Sequence, residues 1–231
     1  MSSFFKLCVN INGLYCIIIL GDCMASAVIH LCIAKKVNNY LKIDENMLYL
    51  GAIAPDLAKQ IGLTKRKSHF LDDEHLEDSI PNVDRFVAKY YYELNKPFEM
   101  GYLIHLLTDY YWFKYYINNF VKRYNHSDLD KISLKSLIYD DYTSLNQELI
   151  DSYMLNLDIF MNKIDYPTSK ISEIPMDKLY IVVEKMGQII MNAKVKKKIL
   201  FDKTDIIDFI ENISNKIIED LKNYKLIKEY K

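Results

Sequence analysis

Residues 97–124 read PFEMGYLIHLLTDYYWFKYYINNFVKRY. Past Gly101 this stretch contains no further glycine or proline, and it is the most apolar run in the body of the chain. Proline is tolerated in the first turn of a helix and breaks it further in. The pattern therefore predicts one buried helix, opened by Pro97 and running to about Tyr124. The whole chain shares this poverty in turn formers. It has 6 Gly and 5 Pro in 231 residues, where average usage would give roughly 28. Sandwiches and barrels need many tight turns, so this composition excludes most all-β folds and favours long helices. The expected fold class is all-α, a single multi-helix domain.

The flanking segments agree. Apolar residues at positions 28, 29, 31–34, 37 and 41 make a helical stripe over Ala25–Leu41. Asp44 is the predicted N-cap of a helix from Glu45 to about Ala54, which Pro55 ends. Thr64–Pro81 is polar and reads as a loop, and Pro81 opens a helix to about Asn95. Beyond residue 124, residues 125–130 read as a loop. A long helix follows from about Ser133 to Lys163, with a break near Asp140–Asp141. Pro175–Lys198 and Thr204–Tyr224 read as two closing amphipathic helices. No repeat or linker interrupts residues 24–231, which form one expected domain.

Thirty basic residues balance 31 acidic ones, for a net charge of −1. Such a chain carries no global field for nucleic acid or anionic membrane. Cys8, Cys16, Cys23 and Cys32 include no CxxC pair, which excludes a zinc ribbon and fits a reducing, cytoplasmic setting. Residues 1–23 admit three readings. They are an extension ahead of a start at Met24, a weak signal sequence, or a peripheral anchor. The last two would make the protein secreted or membrane-associated.

The informative feature is a set of ionisable residues inside segments that should be buried. A buried carboxylate without a partner costs several kcal/mol or more, so it must find a cation or a proton. His105 and Asp109, at i and i+4, point to one side of the central helix. Gly101 lies one turn earlier on that face, and its missing side chain allows a close approach. His30 sits in ASAVIHLCIA, where the plain alternative is a hydrogen-bonded core histidine. Asp56 sits in LYLGAIAPDLA, where the alternative is a helix cap. His69 follows the basic triplet Lys65–Lys67, where the alternative is an exposed loop residue. Two imidazoles and two carboxylates on one helical framework suit Zn²⁺, and less specifically Mn²⁺ or Fe. Helical bundles build such sites from inward-facing ligands.

The ordered segments MASAVIH, GAIAPD, KSHF and GYLIHLLTDYYW resemble the zinc-dependent phospholipase C family, whose helical fold is shared with zinc nucleases that cut single strands. The likeness runs from about Met24 to Phe120. It implies a metal-dependent phosphoric-ester hydrolase holding one or two zinc ions. Asp109 would bridge two ions. Asp56, His69 and His105 would complete one of them, and His30 would join Asp109 on the other. Asp56 would also orient or deprotonate the attacking water, and Lys67 would contact the substrate phosphate. The chain departs from the family pattern in places. Secreted members have an N-terminal tryptophan that is missing here. They place a histidine six residues after the bridging aspartate, where this chain has Tyr115. Their later HxxxE or HxxxD ligands match only His126 and Asp130, in a polar stretch. The expected site therefore holds one or two ions rather than three.

The implied substrate is a phosphate ester or a phospholipid. Lys194 and Lys196–Lys198 would supply peripheral contact with anionic lipid, although a helix C-terminus welcomes lysines equally well. His75 reads as a surface residue. The aromatic run Tyr110–Tyr116 reads as core more readily than as a cleft lining. The chain has no GxSxG elbow and no glycine-rich phosphate loop, so catalysis here would be metal-assisted. Two other readings stay open. One is a non-catalytic metal-binding protein with the same fold, and the other a helical interaction protein without a metal.

Overall fold

Ser26 starts the first helix of the domain. Its Oγ accepts the Ile29 N–H at 3.3 Å and donates to Asn146 Oδ1 at 3.1 Å, so one hydroxyl caps α1 (Ala27–Leu41) and ties it to a distant helix. Asp44 caps α2 (Glu45–Ile53) by accepting the Met47 N–H at 3.1 Å. Pro55 then tightens the chain into a 3-10 turn over Ala54–Asp56. Two single turns follow, α3 (Leu57–Gln60) and α4 (Lys65–Ser68). Asn82 caps α5 (Val83–Tyr90), and Pro97 opens α6 (Pro97–Tyr111). The remaining helices are α7 (Lys131–Tyr153), α8 (Leu179–Met191) and α9 (Lys203–Asn223). The computed structural model describes residues 7–11, 14–18, 25–72, 80–117, 131–162, 164–193 and 201–227.

The described body from Ala25 onward is an all-α domain, as the composition requires. α1 packs against α2, α6, α7 and α9, and α2 against α6. Val28, Ile29, Leu31 and Ile33 of α1 meet Leu48 and Leu50 of α2 and Leu103, Ile104 and Leu106 of α6 in one continuous core. Cys32 is buried there as a free thiol. The α2–α6 crossing is unusually close. A Cβ placed on Gly51 would fall 2.0 Å from the Phe98 carbonyl oxygen, and one on Gly101 would fall 2.1 Å from that of Leu48. Only glycine at both positions lets these backbones touch.

Several expected boundaries move. The central helix leaves α-geometry after Tyr111 and continues as a π-helical turn over Trp112–Ile117, while residues 118–130 lie outside the described set. α7 runs unbroken through Asp140 and Asp141. Asp140 is exposed, and the buried Asp141 accepts the Phe201 backbone N–H at 2.9 Å. That partner, 60 residues away, removes the reason to expect a break. α7 ends at Tyr153 rather than Lys163, because Met154 turns into the left-handed region (φ 47). The supposed loop after Thr64 begins with the helical turn α4. Near the N-terminus, Leu7–Ile11 and Leu14–Ile18 pair as antiparallel strands, with Ile11 opposite Leu14. Asn12–Gly13 between two β-branched runs is a hairpin signal. The three readings of residues 1–23 overlooked it. No helix among the described residues is long and apolar enough to cross a membrane.

Candidate metal centre

The α2–α6 crossing fixes His105. Two glycines bring the backbones together, and the Ala52 carbonyl oxygen then lies 2.7 Å from His105 Nδ1. A carbonyl only accepts, so Nδ1 carries the proton and donates. Nε2 is left facing inward as the ligand atom, the usual arrangement for a metal-bound imidazole.

His69 is oriented the same way by a different device. Its Nδ1 lies 2.9 Å from Ser68 Oγ, whose own hydrogen points at the Lys65 carbonyl at 3.2 Å. The serine therefore accepts from Nδ1–H. Tyr102 in α6 donates to the Ser68 carbonyl at 2.6 Å and pins the turn in place. Phe70 follows with φ 54, a conformation that bulky residues rarely adopt, and is held there edge-to-face on Phe86 at 5.1 Å.

Both Nε2 atoms now face each other at 3.1 Å. Two lone pairs at that distance repel, so a positive charge belongs between or beside them. Asp109 supplies the counter-charge. Its Oδ2 is 3.3 Å from His105 Nε2 and 3.6 Å from His69 Nε2, while its Oδ1 is 3.4 Å from His30 Nε2. Asp56 Oδ1 is 3.8 Å from His69 Nε2. Donors bound tetrahedrally to zinc at about 2.0–2.2 Å are roughly 3.3 Å apart. These spacings suit an ion, and the two carboxylate oxygens of Asp109 face different imidazoles. Two groups of donors, each within 4.8 Å, share His105. One is His69, His105 and Asp109, and the other is His30, Asp56 and His105.

The plain alternatives fail at their own test. Neither ring nitrogen of the buried His30 has a hydrogen-bond partner, and neither oxygen of Asp109 has one. Leaving a buried polar atom unsatisfied costs about 1–3 kcal/mol, and at position 30 the nearest partner is Asp109 Oδ1 at 3.4 Å, which leaves Nδ1 unserved. His30 instead stacks flat on His105, with ring centroids 3.9 Å apart and 8° between planes. Asp56 occupies a cap position but makes no capping bond. Its carboxylate goes to Lys65 Nζ at 2.8 Å. The donor set and its orphaned atoms therefore fit a zinc ion, or two.

The protonation states follow from the same contacts. Burial, then the positive charge of Lys65, holds His69 well below the ordinary imidazole value. Burial, then the neighbouring His105, lowers His30. Burial works against charge on His105 too, but Asp109 outweighs it and raises that histidine. Burial opposes ionisation of Asp109, yet His30 and His105 pull its carboxyl well below the usual range. Asp56 is likewise lowered against the cost of burial, chiefly by Lys65. The ion-free site thus holds a proton on His105 to higher pH than an ordinary imidazole would. Zinc must displace that proton, so its affinity should rise with pH through the raised value of His105 and level off above it. Calorimetric titration with zinc near neutral pH should show proton release as a dependence of the binding enthalpy on buffer ionisation enthalpy.

Five of the six residues singled out from sequence converge. His30, Asp56 and His105 form one group of donors, and His69, His105 and Asp109 form another. Lys67 does not join them, for it is exposed and absent from the cavity that reaches Asp56. The lysine at the site is Lys65. In α4, Lys65 and His69 are four apart and share a side, whereas Lys67 is rotated away. Sequence reasoning also missed Ala52, Ser68 and Tyr102, which orient the ligands through backbone atoms or across elements. Tyr115 is 42% exposed and stacks on Tyr111. Trp112 is fully buried against Phe209, so the aromatic run is largely core. His75, His126, Asp130, Lys194 and Lys196–Lys198 lie outside the described residues.

Asp56 and Lys65 also line a cavity of about 320 Å³. It is bounded by the start of α1, by α3 and α4, and by faces of α7 and α8. Of the five candidate donors Asp56 lines this cavity, while Asp109 is fully buried. Comparison with protein-family models, with curated proteins and with solved structures gives no match to this chain.

Proposed function

We propose that the chain is a metal-dependent phosphoric-ester hydrolase, acting through zinc held by His30, Asp56, His69, His105 and Asp109. One observation carries the reading. Four of the donors, His30, His69, His105 and Asp109, are buried, and His30 and Asp109 carry unsatisfied atoms, while the fifth, Asp56, opens onto a cavity able to admit a substrate. Structural zinc sites are closed, and catalytic ones keep an open position. The cavity favours the hydrolase over a non-catalytic metal protein on that ground. The likeness to the zinc-dependent phospholipase C segments adds support, since the residues that carry it are the ones that converge.

Zinc at such a site would supply Lewis acidity and bring the pKa of a water down towards about 7. Asp109 holds one carboxylate oxygen towards His30 and the other towards His69 and His105. Asp56 keeps an ionised carboxylate at the cavity wall, in position to orient the attacking water and take its proton. Attack of that water's oxygen on phosphorus breaks the P–O bond to the alcohol, which leaves with a proton. Tyr115 in place of a histidine supports one or two ions rather than three.

Mass spectrometric metal analysis of the full chain should find one or two zinc ions per molecule. Hydrolysis of aryl phosphate mono- and diesters should disappear with a chelator and return with zinc. A chain that takes up no zinc when it is supplied would overturn the reading. One that binds zinc without hydrolysing any ester would leave a metal protein that is not an enzyme.

A further inference from the structure

The cavity beside Asp56 is lopsided in charge. Lys59, Lys65 and Lys185 line it, and Asp56 is its sole acidic wall residue among those described. Asp56 is itself paired to Lys65 at 2.8 Å. A second source of positive potential faces the same space. Ala25, Ser26 and Ala27 line it at the N-terminus of the 15-residue helix α1, where backbone N–H groups and the helix dipole favour anions. The rest of the lining donates and accepts hydrogen bonds, through Gln60, Thr143, Asn146 and Gln188.

Lys65 stands where the cavity meets the metal centre. Its side chain is 13% exposed. An ammonium has three N–H donors, and the bond to Asp56 uses one of them. From there Lys65 can donate to a phosphoryl oxygen without releasing Asp56. Lys59 and Lys185 are exposed at the outer wall, where the remainder of a substrate would lie.

Building on the hydrolase reading, we infer that this cavity binds phosphomonoester dianions, with Lys65 as the phosphoryl anchor and Lys185 disfavouring substrates that carry a cation. The acidic residue of the described lining, Asp56, is already paired to Lys65, which leaves no described wall carboxylate for the cation of a zwitterionic head group. Its ammonium would meet like charge at the rim and lose affinity on that account. A dianion has no such conflict. Hydrolysis of it consumes one water and gives the alcohol and inorganic phosphate.

The test is calorimetric titration of the zinc-loaded full chain with phenyl phosphate and with phenyl phosphorylcholine at mildly alkaline pH. Phenyl phosphate should bind at least tenfold more tightly. Lys65→Gln, brought to the wild-type zinc content, should weaken it at least tenfold. Lys185→Gln changes an exposed residue and should leave folding intact. It should bring the two ligands to within about twofold of each other. Equal or reversed preference in the wild type, no binding of either ligand, or no effect of Lys65→Gln in a folded, zinc-replete protein would each overturn the inference while leaving the metal centre standing. A chain that takes up no zinc fails the hydrolase reading first, and this inference falls with it.

Discussion

Asp109→Asn should abolish tight zinc binding and leave the metal-free protein within about 1 kcal/mol of wild type. The two halves of this result come from different physics. Asp109 is the residue whose two oxygens face three imidazoles, at 3.3, 3.4 and 3.6 Å. An amide there offers one weak oxygen donor in place of two charged ones, and the site loses its only wholly buried anion. In the metal-free protein the same carboxylate is an uneasy element. It makes no aligned hydrogen bond, and its charge is sustained by a proton on His105 against the cost of burying both. Once Asp109 is neutral, His105 releases that proton and no unpaired charge remains.

A buried ion pair that served only structure would behave in the opposite way. Breaking it costs about 3–5 kcal/mol, because one charge is left without a partner. Thermal unfolding with and without zinc separates the cases. At a free zinc concentration of a thousand times Kd, the wild type gains about 4 kcal/mol. For a chain of this size that corresponds to roughly 10 °C in Tm. The variant should gain nothing. A metal-free variant that melts many degrees lower, together with no zinc effect on the wild type, would sink the metal centre and restore a structural histidine cluster.

Much of this centre was legible in the sequence because charge in an apolar run is conspicuous. His30 among ASAVIHLCIA, Asp56 among GAIAPDLA and the pair His105 and Asp109 all announce a cost that the fold must offset. Gly101 was legible for the same kind of reason, as a gap on the face that carries the ligands. The groups that orient the ligands were not legible. The Ala52 carbonyl is a backbone atom that any residue would supply, and what selects it is the α2–α6 crossing. Gly51 had passed without notice although it is the other half of that crossing. Ser68 acts on His69 from the neighbouring position, and Tyr102 holds Ser68 from 34 residues away. The choice between Lys65 and Lys67 depended on a single helical turn inside a segment read as loop. A turn of four residues is too short to leave a periodic signal. Asp141 shows the reverse error. A polar pair in mid-helix suggested a break, and a backbone N–H from the far side of the domain accounts for it instead.

Gly101→Ala should be among the most damaging single-methyl changes in the chain. The added Cβ would stand 2.1 Å from the Leu48 carbonyl oxygen, 2.9 Å from the Ala52 nitrogen and 3.0 Å from Gly51 Cα. All three are backbone atoms of a helix embedded in the core, so no side chain can rotate away to make room. Relief requires α2 and α6 to move apart. Ordinary overpacking costs about 1–3 kcal/mol, and a clash of backbone on both sides belongs at or beyond the top of that range. The expected fall in Tm is then at least 6–12 °C, from roughly 2–4 °C per kcal/mol for a chain of this length. The helix gains about 1 kcal/mol of intrinsic propensity from alanine, which is too little to compensate. Separation of the helices also lengthens the bond from His105 Nδ1 to the Ala52 carbonyl. Loss of such an orienting bond weakens metal binding by about 10–100-fold, so the variant should bind zinc poorly even at temperatures where it is folded. Gly62→Ala provides the control. Gly62 has φ +75 but nothing within 4 Å of an added Cβ, so it should cost only the left-handed strain of about 1–2 kcal/mol and leave zinc affinity unchanged. Equal losses in the two variants would mean that glycine's conformational freedom, and not the contact between α2 and α6, is what position 101 requires.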